Sequence, residues 1–235
     1  MNMPMRLFWI GTALSVLGVS PAQADLLVDH PRHNVGGPDS DTDFIYGPVD
    51  PYWQVLADDF LINSSAQVDR VTWLGFYGGQ FYGSVQPPVG DETMRIRFHA
   101  ARPGDGLPGQ VLYEQDFLNT SRTATGLLLS DTRVYPEYRF EADLATPFPI
   151  EPNVRYWIEI AQVGIQSSEF RWEYSVPPDG TSFASMNLDY PDWHRSQLGA
   201  NLAFQLWGVP EPHTAALFLL PVYFISLSSR GRRSS

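Results

Sequence analysis

The chain contains no cysteine and no lysine; all fifteen of its basic residues are arginine. Without cysteine there is no disulfide, no thiolate metal ligand and no thiol nucleophile, so the fold depends on packing alone. Long hydrophobic runs are missing too. The two longest apolar stretches, residues 7–19 and 214–227, fall short of the ~20 residues of a full bilayer span. Positive charge is scarce between Asp25 and Gly208, a body of 184 residues with 11 Arg against 25 Asp plus Glu and a net charge of -14. That balance excludes a nucleic-acid partner, which needs a basic patch. No G-x-S-x-G elbow, H-E-x-x-H pair, P-loop or dinucleotide fingerprint occurs, which excludes the enzymes those motifs mark. No repeat of fixed period occurs, so a propeller or solenoid is excluded as well.

What the chain does have is strongest at its ends. Arg6 precedes the apolar run Leu7 to Val19, and Pro21-Ala22-Gln23-Ala24 follows with small residues at Ala22 and Ala24. This is a signal peptide over residues 1–24, forming a helix and cut by signal peptidase between Ala24 and Asp25. An uncleaved N-terminal anchor is the alternative, and the run is short for one. At the other end Pro210-Glu211-Pro212 is followed by an apolar segment from Thr214 to Leu227, then by Arg230, Arg232 and Arg233. Arginines behind a greasy segment stay in the cytoplasm, which predicts a short transmembrane helix and places residues 25–212 outside. A terminal strand or amphipathic tail is the plainer alternative for 14 residues interrupted by Pro221. Motif, apolar run and basic end, in that order, resemble the PEP-CTERM sorting signal of exported bacterial proteins. The resemblance implies that an exosortase-like membrane protease recognises residues 209–235 and processes the chain near the PEP motif. It further implies transient anchoring, then a place on the cell surface or in the extracellular matrix.

The 25–208 body reads as one all-β domain of a size that supports one core. Val55–Ile62, Gln67–Tyr77, Thr93–Ala100, Gln110–Phe117, Tyr138–Leu144, Val154–Val163, Phe170–Tyr174 and Asn201–Trp207 carry strand patterns, most with period-two alternation. Met94, Ile96 and Phe98 are expected inward, with Arg95, Arg97 and His99 outward. Gly78-Gly79, Pro87-Pro88, Pro103-Gly104-Asp105-Gly106 and Pro177-Pro178-Asp179-Gly180 separate strands as turns. Many short strands with turns between them predict an antiparallel, jelly-roll-like β-sandwich. The series Ala57-Asp58-Asp59-Phe60, Val71-Thr72-Trp73-Leu74-Gly75, Arg97-Phe98-His99-Ala100, Gly106-Leu107-Pro108-Gly109, Arg155-Tyr156-Trp157-Ile158 and Leu202-Ala203-Phe204 resembles the sandwich domain common in front of PEP-CTERM tails. No catalytic residues carry over from that resemblance.

Four patterns are candidates for chemistry. Asp39, Asp41 and Asp43 alternate in a loop and offer oxygen ligands to Ca²⁺. The EF-hand glycine is replaced by Phe44, so a sandwich-edge calcium site and a solvated acidic loop both stay open. Asp58 and Asp59 are adjacent on a strand and point to opposite faces, so they do not share one substrate bond. One is expected as a turn or edge ligand and the other in solvent. His30 and His33 lie three apart near the acidic loop, where a transition-metal site competes with plain loop histidines. Trp53, Tyr82, Tyr190 and Trp193 fall in loop-like segments, where aromatic faces can stack on sugar. Trp73, Trp157, Trp172 and Trp207 sit in strands and are expected to serve the core or a sheet face.

These readings converge on an exported, acidic, non-catalytic envelope or matrix protein, structural or adhesive, in contact with extracellular polysaccharide. No cofactor beyond structural Ca²⁺ is expected. The alternative is a jelly-roll carbohydrate-binding protein or glycoside-active enzyme. The enzyme needs two carboxylates ~5–9.5 Å apart beside exposed aromatics.

Overall fold

Alternation in sequence becomes alternation in burial. Along Thr93–Ala101, Met94, Ile96 and Phe98 are fully buried, while Arg95 and Arg97 between them are half-buried. The computed structural model describes residues 24–211, except 34–35, 39, 41–44, 47–49, 52–53, 79–86, 89, 131–133, 165–167, 176–181, 188–190 and 198. The helices expected within residues 1–24 and 214–227 lie outside the described residues, apart from Ala24. Among the described residues no helix is long and apolar enough to cross a membrane.

In chain order the strands are β1 (Asp25–His30), β2 (Ile45–Tyr46), β3 (Asp50–Pro51), β4 (Gln54–Leu61), β5 (Ala66–Gly78) and β6 (Thr93–Ala101). Next come β7 (Pro108–Leu118), β8 (Ser121–Ser130), β9 (Val134–Ile150), β10 (Arg155–Val163) and β11 (Glu169–Trp172). The last are β12 (Tyr174–Ser175), β13 (Ala184–Asn187), β14 (His194–Arg195), β15 (Asn201–Leu202) and β16 (Phe204–Pro210). Sheet I is ordered β1-β16-β5-β9-β8, with β11 also on β5, and sheet II is ordered β14-β13-β4-β10-β6-β7. Their pairings are antiparallel.

The two sheets share one core, which makes the body a β-sandwich. Trp73, Phe140, Phe148 and Phe204 come from sheet I, and Phe60, Phe98, Ile158 and Ile160 from sheet II. Phe98 stacks on Phe148 with centroids 4.4 Å apart, and Phe60 meets Phe204 edge-on at 6.4 Å. Each such side chain taken fully from water contributes about 1.5–3 kcal/mol. Packing on this scale replaces the absent disulfides.

Among the described residues the first and last strands lie in the same sheet. Asp25 of β1 lies opposite Gly208 of β16, so the first and last residues of the 25–208 body sit side by side. Strand β16 has an irregular register at Trp207/Gly208. A Cβ on Gly208 would sit 1.9 Å from the Gln67 carbonyl oxygen, so the close approach requires glycine. Beyond the bulge Pro210 pairs with Ala66, and the Glu211 N–H donates to the Ser65 carbonyl at 3.0 Å.

Six strands lack a legible pattern: β1, β2, β3, β8, β13 and β14. In β8, Leu127 and Leu128 are exposed and Gly126 has a φ of 81°, so period two is lost on this edge. The pair Asp58 and Asp59 does point to opposite faces, but neither is solvated, with exposures of 0% and 1%. Asp58 is drawn inward by His30, and Asp59 is covered by Arg155. His30 is no loop histidine: it ends β1 and is buried, whereas His33 is exposed.

Candidate functional site

The outer face of sheet II is where polar chemistry concentrates. Because Tyr156, Ile158 and Ile160 of β10 enter the core, Trp157 and Glu159 project from the opposite side. Both are nonetheless buried. The turn between β6 and β7 folds over them, and the Trp157 indole N–H donates to the Gly106 carbonyl at 2.9 Å. The β14 region closes the other flank. Arg195 lies over the Trp157 ring at 5.3 Å, and Trp193 packs against Trp157, Ala57 and Ala184.

Beneath this cover lies a histidine–carboxylate pair. The Glu159 carboxylate meets His99 Nε2 at 2.9 Å and accepts from Arg97 Nη1 at 3.1 Å. His99 Nδ1 sits 3.2 Å from the Gly109 carbonyl, so both ring nitrogens face acceptors. Trp193 meets the His99 ring edge-on at 5.8 Å. His99 does fall on the polar side of β6, yet it is shielded from solvent by chain distant in sequence. Outward from this pair runs an ion-pair ladder. Arg97 Nε binds Glu114 at 2.6 Å, and Arg95 binds both oxygens of Asp116 at 2.6 and 2.9 Å. The Arg95 guanidinium holds the Asp116 carboxyl below its ordinary range. Arg102 does the same for Asp192, which it binds at 2.7 Å.

An open pocket of about 530 Å³ adjoins the cover, lined by Phe183, Ser185, His194 and Arg195 among others. Ser185 Oγ lies 3.1 Å from His194 Nε2, within nucleophile–base reach. The two residues face each other in the β13–β14 register, so a cross-strand hydrogen bond explains the contact. His194 Nδ1 is 3.5 Å from the main-chain oxygen of Asp192, too long to orient the ring as a triad carboxylate does.

Two further polar clusters join the sheets inside the sandwich. Glu92, just before β6, accepts from the Tyr77 hydroxyl at 2.7 Å and from Gln162 Nε2 at 2.9 Å, and pairs with Arg122 at 2.5 Å. Burial pushes both the Glu92 carboxyl and the Tyr77 hydroxyl up from their ordinary values. Asp58 receives His30 Nδ1 at 3.1 Å and the Leu202 N–H at 2.8 Å. Its carboxyl is also raised, because burial outweighs the help from His30. The buried carboxylates of Asp59, Glu92, Glu137 and Glu159 are each engaged by an arginine, and Asp58 by a histidine.

Of the sugar-contact candidates only Trp193 is described. It is half-buried and serves as a lid on Trp157 and His99. Trp53, Tyr82 and Tyr190 lie outside the described residues, as do Asp39, Asp41 and Asp43. Among the described residues no group of three or more His, Asp or Glu side chains is arranged to hold a metal ion. Ala24 immediately precedes β1, Pro210 closes β16, and Glu211 follows it. Ala22, Pro212, Arg230, Arg232 and Arg233 lie outside the described residues.

The His99–Glu159 pair and the Glu92 cluster escaped the sequence reading. The ladder left a signal, since Arg95 and Arg97 have the same spacing of two as Glu114 and Asp116. A family model for a domain of unknown function, DUF7901, matches residues 28–207, from within β1 to within β16. No curated protein matches the chain.

Proposed function

The chain belongs to the DUF7901 family, whose function is not defined, and from that premise we propose that it is an exported, non-catalytic component of the cell envelope or extracellular matrix. In this reading the sandwich is jelly-roll-like, structural or adhesive, and touches polysaccharide. Signal peptidase removes residues 1–24, and an exosortase-like protease processes the tail near Pro210-Glu211-Pro212. The single observation that supports the reading best is where the strands stop. Strand β1 starts at Asp25, directly after Ala24, and β16 ends at Pro210. Both terminal segments can therefore be lost without cutting into the sandwich, and both depart from one corner of it.

The test is the intact mass of the protein from its native host, with and without the exosortase. Loss of the residues after the PEP motif only when the protease is present supports sorting. A full-length tail in both strains makes the segment an ordinary anchor.

The second reading, a carbohydrate-active or lectin-like protein, draws support from Trp193, His99 and Glu159 under one cover and from the pocket beside Ser185 and His194. Release of sugar from a glycan favours the enzyme; its absence across uronate, glucan and mannan substrates goes against it. Calcium at Asp39, Asp41 and Asp43 belongs to the first reading. An unchanged melting temperature in chelator removes it.

A further inference from the structure

The outer face of sheet I holds a concavity separate from everything above. Trp73, Phe140 and Phe204 point into the core, so their strand neighbours Thr72, Leu74, Arg139 and Gln205 point out. They line a groove of about 330 Å³, completed by Asp29, Arg32 and Thr125. That volume lies at the lower end of small-ligand sites, ~300–1,000 Å³.

Three features distinguish the groove from a mere gap between strands. Its polar wall is pre-set. Thr72 Oγ donates to Gln205 Oε1 at 3.2 Å, and Gln205 Nε2 donates to Asp29 at 3.0 Å. The Trp207 indole N–H, 3.4 Å away, points at Thr72 Oγ. Opposite stands Arg139, exposed, on β9. Among the described residues the Arg139 side chain has no ion-pair, hydrogen-bond or ring partner, its backbone alone being paired in the sheet. The body carries more than two acids per arginine, and Arg32, Arg70, Arg95, Arg97, Arg102, Arg122, Arg155 and Arg171 each hold a carboxylate. Arg32 reaches the buried Glu137 through Nη1 alone, with 40% of its side chain exposed, which leaves its other N–H groups for a ligand. Finally, the floor is half-buried Leu74 with adjacent backbone, a surface suited to the C–H face of a ring.

We propose that this groove binds one uronic-acid residue of an acidic glycan, with the carboxylate on Arg139 and the hydroxyls on Asp29 and Gln205. A bare anion would use the arginines but has no hydroxyl for Asp29; a neutral sugar would leave Arg139 without a carboxylate. The choice of a glycan rests on the polysaccharide-associated reading above; the groove itself does not.

The test is calorimetric titration of the full-length chain, in mild detergent, with a galacturonic acid tetramer and with a neutral glucan tetramer. The expected result is binding of the uronate tetramer that weakens by about tenfold or more in Arg139→Gln, as for a lost charge-assisted hydrogen bond. The neutral tetramer should bind more weakly than the uronate to the native chain. Arg139→Lys keeps the charge and should bind closer to the native level, and unchanged melting of both variants shows that the fold is intact. Equal binding of both tetramers, indifference to Arg139→Gln, or no uronate binding overturns the proposal. Uronate binding by a chain whose tail stays uncut in its host would keep this inference and remove the sorting reading.

Discussion

Replacing Glu92 with alanine should destabilise the sandwich by about 3–4 kcal/mol, because one carboxylate ties four strands of two sheets. Tyr77 lies on β5, Arg122 on β8 and Gln162 on β10, while Glu92 itself leads into β6. Truncation leaves the Tyr77 hydroxyl and the Gln162 amide buried without their acceptor, at about 1–3 kcal/mol each. Arg122 is 29% exposed and can turn towards water, so its share is smaller. Relief of the buried carboxylate offsets part of the sum, which keeps the total near the lower end of the 3–5 kcal/mol typical for breaking a buried pair. For a domain of this size the melting temperature should fall by about 10 °C. Urea denaturation at pH 5 and pH 7 measures both the size and the sign of the pH dependence. Burial raises the Glu92 pKa above its ordinary 4.5, so the folded state keeps its proton to higher pH than the unfolded chain. The contribution is thus full below 4.5 and is lost as pH rises through the folded value. The gap between native and E92A should narrow from pH 5 to pH 7, and Glu92→Gln should lack this pH dependence. A loss under about 1 kcal/mol, or a gap that widens with pH, would refute the reasoning.

Asp58→Asn removes a second carboxyl that burial has raised, so the variant should lose less stability than the native chain as pH rises from about 4 to 7; parallel melting curves would contradict this. Gly208→Ala places a methyl group 1.9 Å from a backbone oxygen, and a loss of at least ~2 kcal/mol in denaturant is expected. Trp193→Ala uncovers Trp157 and His99, so a loss of about 1–2 kcal/mol with red-shifted tryptophan emission should follow. An unshifted spectrum would mean that Trp193 is not the lid.

The inner faces were legible because strand alternation is a local signal. Met94, Ile96 and Phe98, and likewise Tyr156, Ile158 and Ile160, could be assigned to the core from spacing alone. The outer faces were not. Trp157, Glu159 and His99 alternate outward as expected, but their burial depends on Gly106 and Trp193, residues brought over them by turns far away in sequence. The same holds for Asp58, whose partners His30 and Leu202 come from either end of the body. Alternation predicts which way a side chain points; it contains nothing about what folds over it. The groove at Arg139 was illegible for a related reason, since its walls come from β1, β5, β8, β9 and β16 together. Of the candidate residues picked from sequence, the calcium loop and three of the four aromatics lie outside the described residues.

Among the described residues the first strand, β1, has the last, β16, as its sheet partner. Closing that contact spans nearly the whole body and carries the loop-closure entropy of a chain of that length. Sheet I therefore cannot complete its edge until β16 has been made, and until then β1 is an unpaired strand awaiting a template. Folding of this domain should be slow and dominated by non-local pairing. Truncations that stop before Phe204 should leave chains that collapse but do not acquire the native edge.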